Sequence, residues 1–205
     1  RAASMSAPTP LHGAGASAFA TAEGASERIE DKRRISISYI APDYFQTLSI
    51  PLLSGREFSF SDTSNPRVAI VNQTLARQLF TNTNPVGRRI TLDHITGIRD
   101  PATFEIVGVS GDANYTEIRE ADRRAIYLPA FRDGRVTAGT FILRAEVDPL
   151  SLASAVRRTI EDTTPAIKLS NLTTLTDQID ASIVPQRLMA TLSGFFAALG
   201  ALLAG

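Results

Sequence analysis

Hydrophobic and polar positions along the chain switch between two periods. "RRISISYI" (Arg33–Ile40) sets Ile35, Ile37 and Tyr39 against polar neighbours, which predicts a half-buried strand. "APDYFQTLSI" follows and predicts a short helical turn opened by Pro42. "RVAIVN" (Arg67–Asn72) is a compact apolar strand, and Asn72 is placed to cap the helix "QTLARQLF", with Leu75, Leu79 and Phe80 along one face. A turn at Asn84–Pro85 leads into the strand of "NPVGRRITL". "TFEIVGVSGD" (Thr103–Asp112) and "AIYLPAF" (Ala125–Phe131) predict two more strands, joined by the charged loop Tyr115–Arg124.

In the last third the pattern becomes β-α-β-α. "TFILRAEV" (Thr140–Val147) alternates, with Phe141, Leu143, Ala145 and Val147 on one side. Asp148 then caps a helix that begins at Pro149, and Leu152, Ala155, Val156, Thr159 and Ile160 repeat at helical spacing until Pro165 ends it. "AIKLSNL" is a further strand. Thr174 and Asp177 have capping-box spacing before a helix carrying Leu175, Ile179 and Ile183. Residues 1–31 are rich in Ala, Ser and Gly; a short strand fits Ala2–Ser6, and the rest reads as loop.

After Arg187 come eighteen residues without a charge, Leu188–Gly205. Crossing a bilayer takes roughly 20 apolar residues, with a range of about 17–25. The run contains Thr191, Ser193, Gly194, Gly200 and Gly205. Small residues of this kind are common in membrane helices, whereas each interior Gly weakens a soluble helix by about 1 kcal/mol relative to Ala. The run therefore reads as the start of a membrane helix with Arg187 at its water-facing edge, in preference to a buried core helix. Pro185 stands at the junction and should kink or break the helix there.

Composition narrows the function more than it extends it. Of 205 residues 43% are hydrophobic and 20% charged, enough for a real core. The formal net charge is zero, which argues against a nucleic-acid binder. There is no cysteine, so disulfides, thiolate catalysis and cysteine-held metals are excluded. The opening 25 residues lack a continuous apolar stretch and do not form a signal peptide; with Arg1 in first place, the chain reads as a fragment of something longer.

The search for chemistry yields no constellation. His12 and His94 lie far apart, and Asp93 and His94, being adjacent, point to opposite faces of an extended backbone, so a metal site is not expected. Lys32 follows Asp31 and Lys168 follows Ile167, so neither belongs to a phosphate-binding P-loop. "GAGASA" (Gly13–Ala18) mimics the start of a dinucleotide fingerprint without the strand-to-helix setting, and "GVSG" (Gly108–Gly111) falls short of a nucleophile elbow, leaving Ser110 as a strand-end serine. Glu117, Glu120 and Asp122, and the pair Glu161–Asp162, sit among arginines as solvated surface. Tyr39, Tyr44 and Phe45 could form a binding patch but fit better as core packing where a strand meets a short helix. No catalytic, cofactor-binding or metal-binding residues are assigned.

The ordered series "YIAPDYFQTLSIPLLSGREFSFSD", "RVAIVNQTLARQLFTNTNPVGRRI", "FEIVGVSGDANY", "IYLPAF" and "DPLSLASAVRRTIEDTTPAIKLSNLTTLTDQIDASI" resembles the MacB-like periplasmic core domain of FtsX-type ABC transporter permeases. It is closest to the branch with duplicated permease halves found in acidobacteria and their relatives. The resemblance runs over nearly the whole chain from about Ala2, and it implies an α+β fold. A porter-like β-α-β subdomain would occupy 1–41 and 134–186, a β-rich Sabre-like insert 42–133, and a truncated transmembrane helix 187–205. The strand and helix with which the family's domain begins are missing ahead of Ala2, so the resemblance implies an exposed sheet edge. It also implies a non-enzymatic domain on the periplasmic side of the inner membrane, without cofactors. Its partners would be a cytoplasmic ABC ATPase, a second permease half, membrane lipid through 188–205 and an envelope protein. The competing expectation is an extracytoplasmic ligand-sensing domain of a membrane receptor.

Overall fold

The computed structural model describes residues 2–7, 16–24, 33–62, 67–81, 83–93, 95, 101–113, 124–131, 139–163 and 171–178. The chain divides into two compact units, Arg1–Glu146 and Val147–Gly205. The first unit holds strands β1 (Ala2–Ala7), β2 (Ala16–Ala22), β3 (Arg33–Ile40), β4 (Leu52–Gly55), β5 (Val68–Asn72), β6 (Arg89–Asp93), β7 (Ala102–Ser110), β8 (Ala125–Pro129) and β9 (Thr140–Arg144). Two short helices, α1 (Tyr44–Leu48) and α2 (Gln73–Leu79), are interleaved with them. The second unit holds a 3-10 turn, Pro149–Leu152, running into helix α3 (Ala153–Thr163).

The nine strands form one mixed sheet. Its pairings close on themselves: β2 pairs with β6, β6 with β7, β7 with β5, β5 with β8, β8 with β3, and β3 again with β2. Two strands in the ring serve two partners along one edge. The first part of β3 pairs with β2, while Tyr39 and Ile40 pair with β1, which carries β9 on its far side. The start of β7 pairs with β6 and its end, Gly108–Ser110, with β4.

Period-two alternation sorts the side chains of this ring into two cores. Inward face Ile35, Ile37, Ala69, Val71, Ile90, Leu92, Phe104, Ile106, Ile126 and Leu128, all buried in one cluster with Leu75 and Phe80 from α2 and its C-cap. β2 contributes only Ala18, Ala20 and Ala22, whose small side chains suit the crowded interior of a closed sheet. On the outer face Ile40, Val68, Ile70 and Tyr127 meet Tyr44 and Phe45 of α1 and Phe58. A bulge in β7 lets it contribute to both: Ala69 faces Ile106 but Ile70 faces Gly108, so Val107 is the extra residue and turns to the outer core while Val109 joins the inner one.

Most of the patterned elements appear where the sequence places them, including the β-rich middle of the chain. The stretch read as loop differs, since Ala16–Ala22 is a strand of the ring. β9 alternates as expected, but its apolar side faces out: Phe141 is 61% and Leu143 53% exposed, while Ile142 packs on the outer core. The capping box at Thr174 forms reciprocally, with Asp177 N–H donating to Thr174 Oγ1 (3.1 Å) and Thr174 N–H donating to Asp177 Oδ2 (3.4 Å), and Thr174 Oγ1 also donates to Asp177 Oδ2 (2.7 Å). Pro185, the strand read at "AIKLSNL" up to Ser170, and Leu188–Gly205 lie outside the described residues. Among the described residues no helix is long and apolar enough to cross a membrane.

Candidate functional surface

At the junction of β5 and α2 a polar clip gathers three distant pieces of chain. The fully buried Asn72 accepts from Leu75 N–H at 3.1 Å, capping α2, and from Ala125 N–H at 3.0 Å, fixing the start of β8. Its Nδ2 donates to Asp112 Oδ1 at 2.6 Å. Asp112 also accepts from Thr74 N–H (3.0 Å) and Thr74 Oγ1 (2.7 Å). Each contact satisfies a backbone or side-chain group that a helix start or strand end would otherwise leave open, so the clip is architectural.

A second feature follows β4. Arg56 forks onto Asp62 with Nη1–Oδ2 2.7 Å and Nη2–Oδ1 2.8 Å, and Ser59 N–H donates to Asp62 at 2.8 Å. The loop so braced buries Phe58 and presents Phe60, 69% exposed, whose ring centroid lies 5.3 Å from that of Phe131. The hydrogen bond from Arg56, with help from Ser59, holds the Asp62 carboxyl below its ordinary range. The brace therefore contributes fully above the unfolded pKa of Asp62 and is lost as pH falls through the folded value; because Arg56 is exposed, the pair is worth about 0.5 kcal/mol.

Glu57, in the same loop, goes the other way. Burial and the nearby Asp43 carboxylate raise its pKa, although backbone N–H groups of Asp43 and Gln46 oppose the rise. Its contribution is present below its unfolded pKa and fades as pH rises through the folded value. Glu57→Gln is therefore expected to match or exceed the wild type in melting temperature at pH 7, with the difference closing on acidification. Thermal melts of both proteins across that range check it, and a variant less stable at pH 7 would reverse the assignment.

The third feature is the outward face of β9, with Phe141 and Leu143 exposed above their β1 partners Met5 and Ala3. Sequence reading singled out neither Phe60 nor the exposure of this face. No local pattern signals the first: Phe58 and Phe60 are two residues apart, a spacing that alternation puts on one face, yet one is buried and the other exposed.

The residues weighed for chemistry stay apart. Tyr44 and Phe45 are buried beside Tyr127, with Phe45 and Tyr127 centroids 4.9 Å apart, so they form core and not a patch. Ser110 is buried at the end of β7, and its hydroxyl donates to Gly111 O. Glu161 and Asp162 lie exposed on α3. His12, His94, Gly13, Gly15, Glu117, Glu120 and Asp122 lie outside the described residues. Among the described residues no three metal-ligating side chains converge.

What the fold defines, then, is an α+β domain built on a closed mixed sheet that offers apolar surfaces. The chain belongs to the MacB-like periplasmic core domain family, whose model matches residues 5–177. That family comprises periplasmic domains of transporter permeases and is not a catalytic one. The periplasmic region of MacB from Actinobacillus actinomycetemcomitans has a similar fold, with a TM-score of 0.50 at 14% identity over 79% of this chain. The chain spans 66% of that structure, just under two thirds. The extracellular domain of the ABC-type transporter YknZ from Gram-positive bacteria aligns with a TM-score of 0.44 at 18% identity, over 76% of this chain and 79% of its own. No curated protein matches the chain.

Proposed function

We propose that this chain is the extracytoplasmic lever of an ABC permease, coupling ATP hydrolysis in a separate cytoplasmic subunit or domain to substrate export or to force transmission across the envelope. The family match over residues 5–177 carries this reading. On it, the protein sits at the inner membrane with this domain on the periplasmic side, Leu188–Gly205 enters lipid, and a second permease half completes the membrane part. Among the described residues, the exposed Phe141 and Leu143 of β9 and the Phe60 knuckle are apolar surfaces available to a substrate or an envelope partner. The proposed division into a porter-like part (1–41 and 134–186) and a Sabre-like insert (42–133) draws on the pairing of β1 with β9, which brings the two flanking segments together, whereas β2 and β3 join the ring formed with strands of the insert.

Because this stretch has no cysteine, a Phe60→Cys change adds the one thiol within it, and its labelling is read against that of the unsubstituted protein. Labelling of that thiol by a membrane-impermeant maleimide in intact cells whose outer membrane has been permeabilised is the expected result. Labelling only after the inner membrane is broken would place the domain in the cytoplasm and end the proposal.

A further inference from the structure

α1 is a five-residue helix flanked at both ends by non-glycine residues in the left-handed region, Asp43 (φ 63°) and Ser49 (φ 57°). Its C-terminus is a Schellman turn: Ser49 N–H donates to Gln46 O at 3.2 Å and Ile50 N–H to Phe45 O at 2.8 Å. Glycine is the usual residue at that position, because a side chain there is strained. Such strain persists only where the surroundings hold it.

The holding group comes from another element. Arg144, the last residue of β9, donates through Nη1 to Gln46 O (3.3 Å) and to Ser49 Oγ. A cation there also lies at the negative end of the helix dipole. Ile142, two residues earlier and on the same side of the strand, packs on the outer core that α1 covers. Otherwise β9 is paired only to β1 among the described residues. Three residues after Arg144 the second compact unit begins, at Val147.

We infer that Arg144 is a clasp: it holds the strained turn of α1 closed against β9, so that a displacement of β9 by the unit that follows it is passed to α1 and through Tyr44 and Phe45 to the outer core. The clasp rests on the proposed function, since it matters only where movement passes through the domain. Arg144 is a positioning residue, and the turn at Ser49 is where the sheet edge and the outer core would part.

Hydrogen exchange on the whole chain tests the clasp. Arg144→Ala should speed exchange of the Ser49 and Ile50 amides at least tenfold, about 1.4 kcal/mol of local opening, with β5, β7 and β8 unchanged. Arg144→Lys should restore part of the protection, since one ammonium still reaches an acceptor. Ser49→Gly placed in the Arg144→Ala background should restore more, by relieving the turn. Unchanged exchange at Ser49 and Ile50, or loosening spread over the whole sheet, overturns the clasp. In the membrane-inserted protein with its ATPase, Arg144→Ala should lower transport-coupled hydrolysis about tenfold while ATPase binding persists. Wild-type coupling alongside a loosened α1 overturns the transmitting role and leaves the permease reading intact. A wild-type protein that engages no ATPase overturns that reading, and the transmitting role with it.

Discussion

Gly55→Ala should destabilise the first unit by at least 3 kcal/mol, lowering the melting temperature by roughly 10 °C for a chain of this size. Two costs add. Gly55 sits at φ 76°, where an L side chain costs roughly 1–2 kcal/mol. A Cβ built there would also lie 2.1 Å from Val107 O and 2.7 Å from Gly108 Cα, both backbone atoms at the bulge of β7, so no side-chain rotation can make room. The backbone of β4 would have to lift away, breaking the bond from Arg56 N–H to Val107 O (2.9 Å) and loosening the loop that presents Phe60. Gly24 is the matched control: its φ is 80°, but nothing lies within 4 Å of its Cβ position. Gly24→Ala should therefore show the conformational cost alone, roughly 1–2 kcal/mol. Chemical denaturation of the two variants separates the effects, and equal losses would mean that β4 does not lie against the bulge as described.

What could be read from the sequence was what is local. Asn72 is legible as a cap because its partner Leu75 is three residues away; its bonds to Ala125 and Asp112 depend on the sheet order and leave no trace in the local pattern. β5 and β7 announce themselves as β-branched runs, since both their faces are buried, one in each core. β2 is hidden for the opposite reason: its inward positions are all alanine, which has little strand preference, and its one large residue, Phe19, points outward. The closure of the ring demands small residues there, and that demand arises from pairing across long separations, which periodicity cannot register. The same limit governs the surfaces. The alternation of β9 fixes which residues share a face but not which face meets the core, and only Ile142 and Arg144, brought against α1, settle it. The candidate clasp likewise depends on Arg144 meeting a turn 95 residues earlier in the chain.

Asn72→Asp should cost about 3 kcal/mol at neutral pH and should recover much of that loss in acid. The substitution keeps an oxygen able to accept from Leu75 N–H and Ala125 N–H, so the cap and the start of β8 remain satisfied. It replaces the donor that now faces Asp112 Oδ1 at 2.6 Å with a second carboxylate oxygen in a fully buried position. Two carboxylates sharing one site raise the pKa of one of them. A folded-state pKa raised in this way means that the variant's stability is present at low pH and is lost as pH rises through it, so its deficit against the wild type should narrow between about pH 7 and pH 5. Asn72→Ala offers a contrast without that signature. It removes both acceptor bonds, strands the buried Ala125 N–H, and should cost about 3 kcal/mol at every pH. Adding Asp112→Asn to Asn72→Asp reverses donor and acceptor across the clip: the new amide can donate to the new carboxylate and its oxygen can still accept from Thr74 Oγ1, but its nitrogen replaces the oxygen that accepts from Thr74 N–H, so that bond is lost. The double variant should recover at least about 1 kcal/mol of the Asn72→Asp loss at pH 7, short of full recovery because Thr74 N–H loses its acceptor, a coupling energy of at least about 1 kcal/mol in a double-mutant cycle. Additive losses in that cycle, with no dependence on pH, would mean that Asn72 and Asp112 do not meet, and would leave the joint of β5, α2, β7 and β8 without the polar clip described for it.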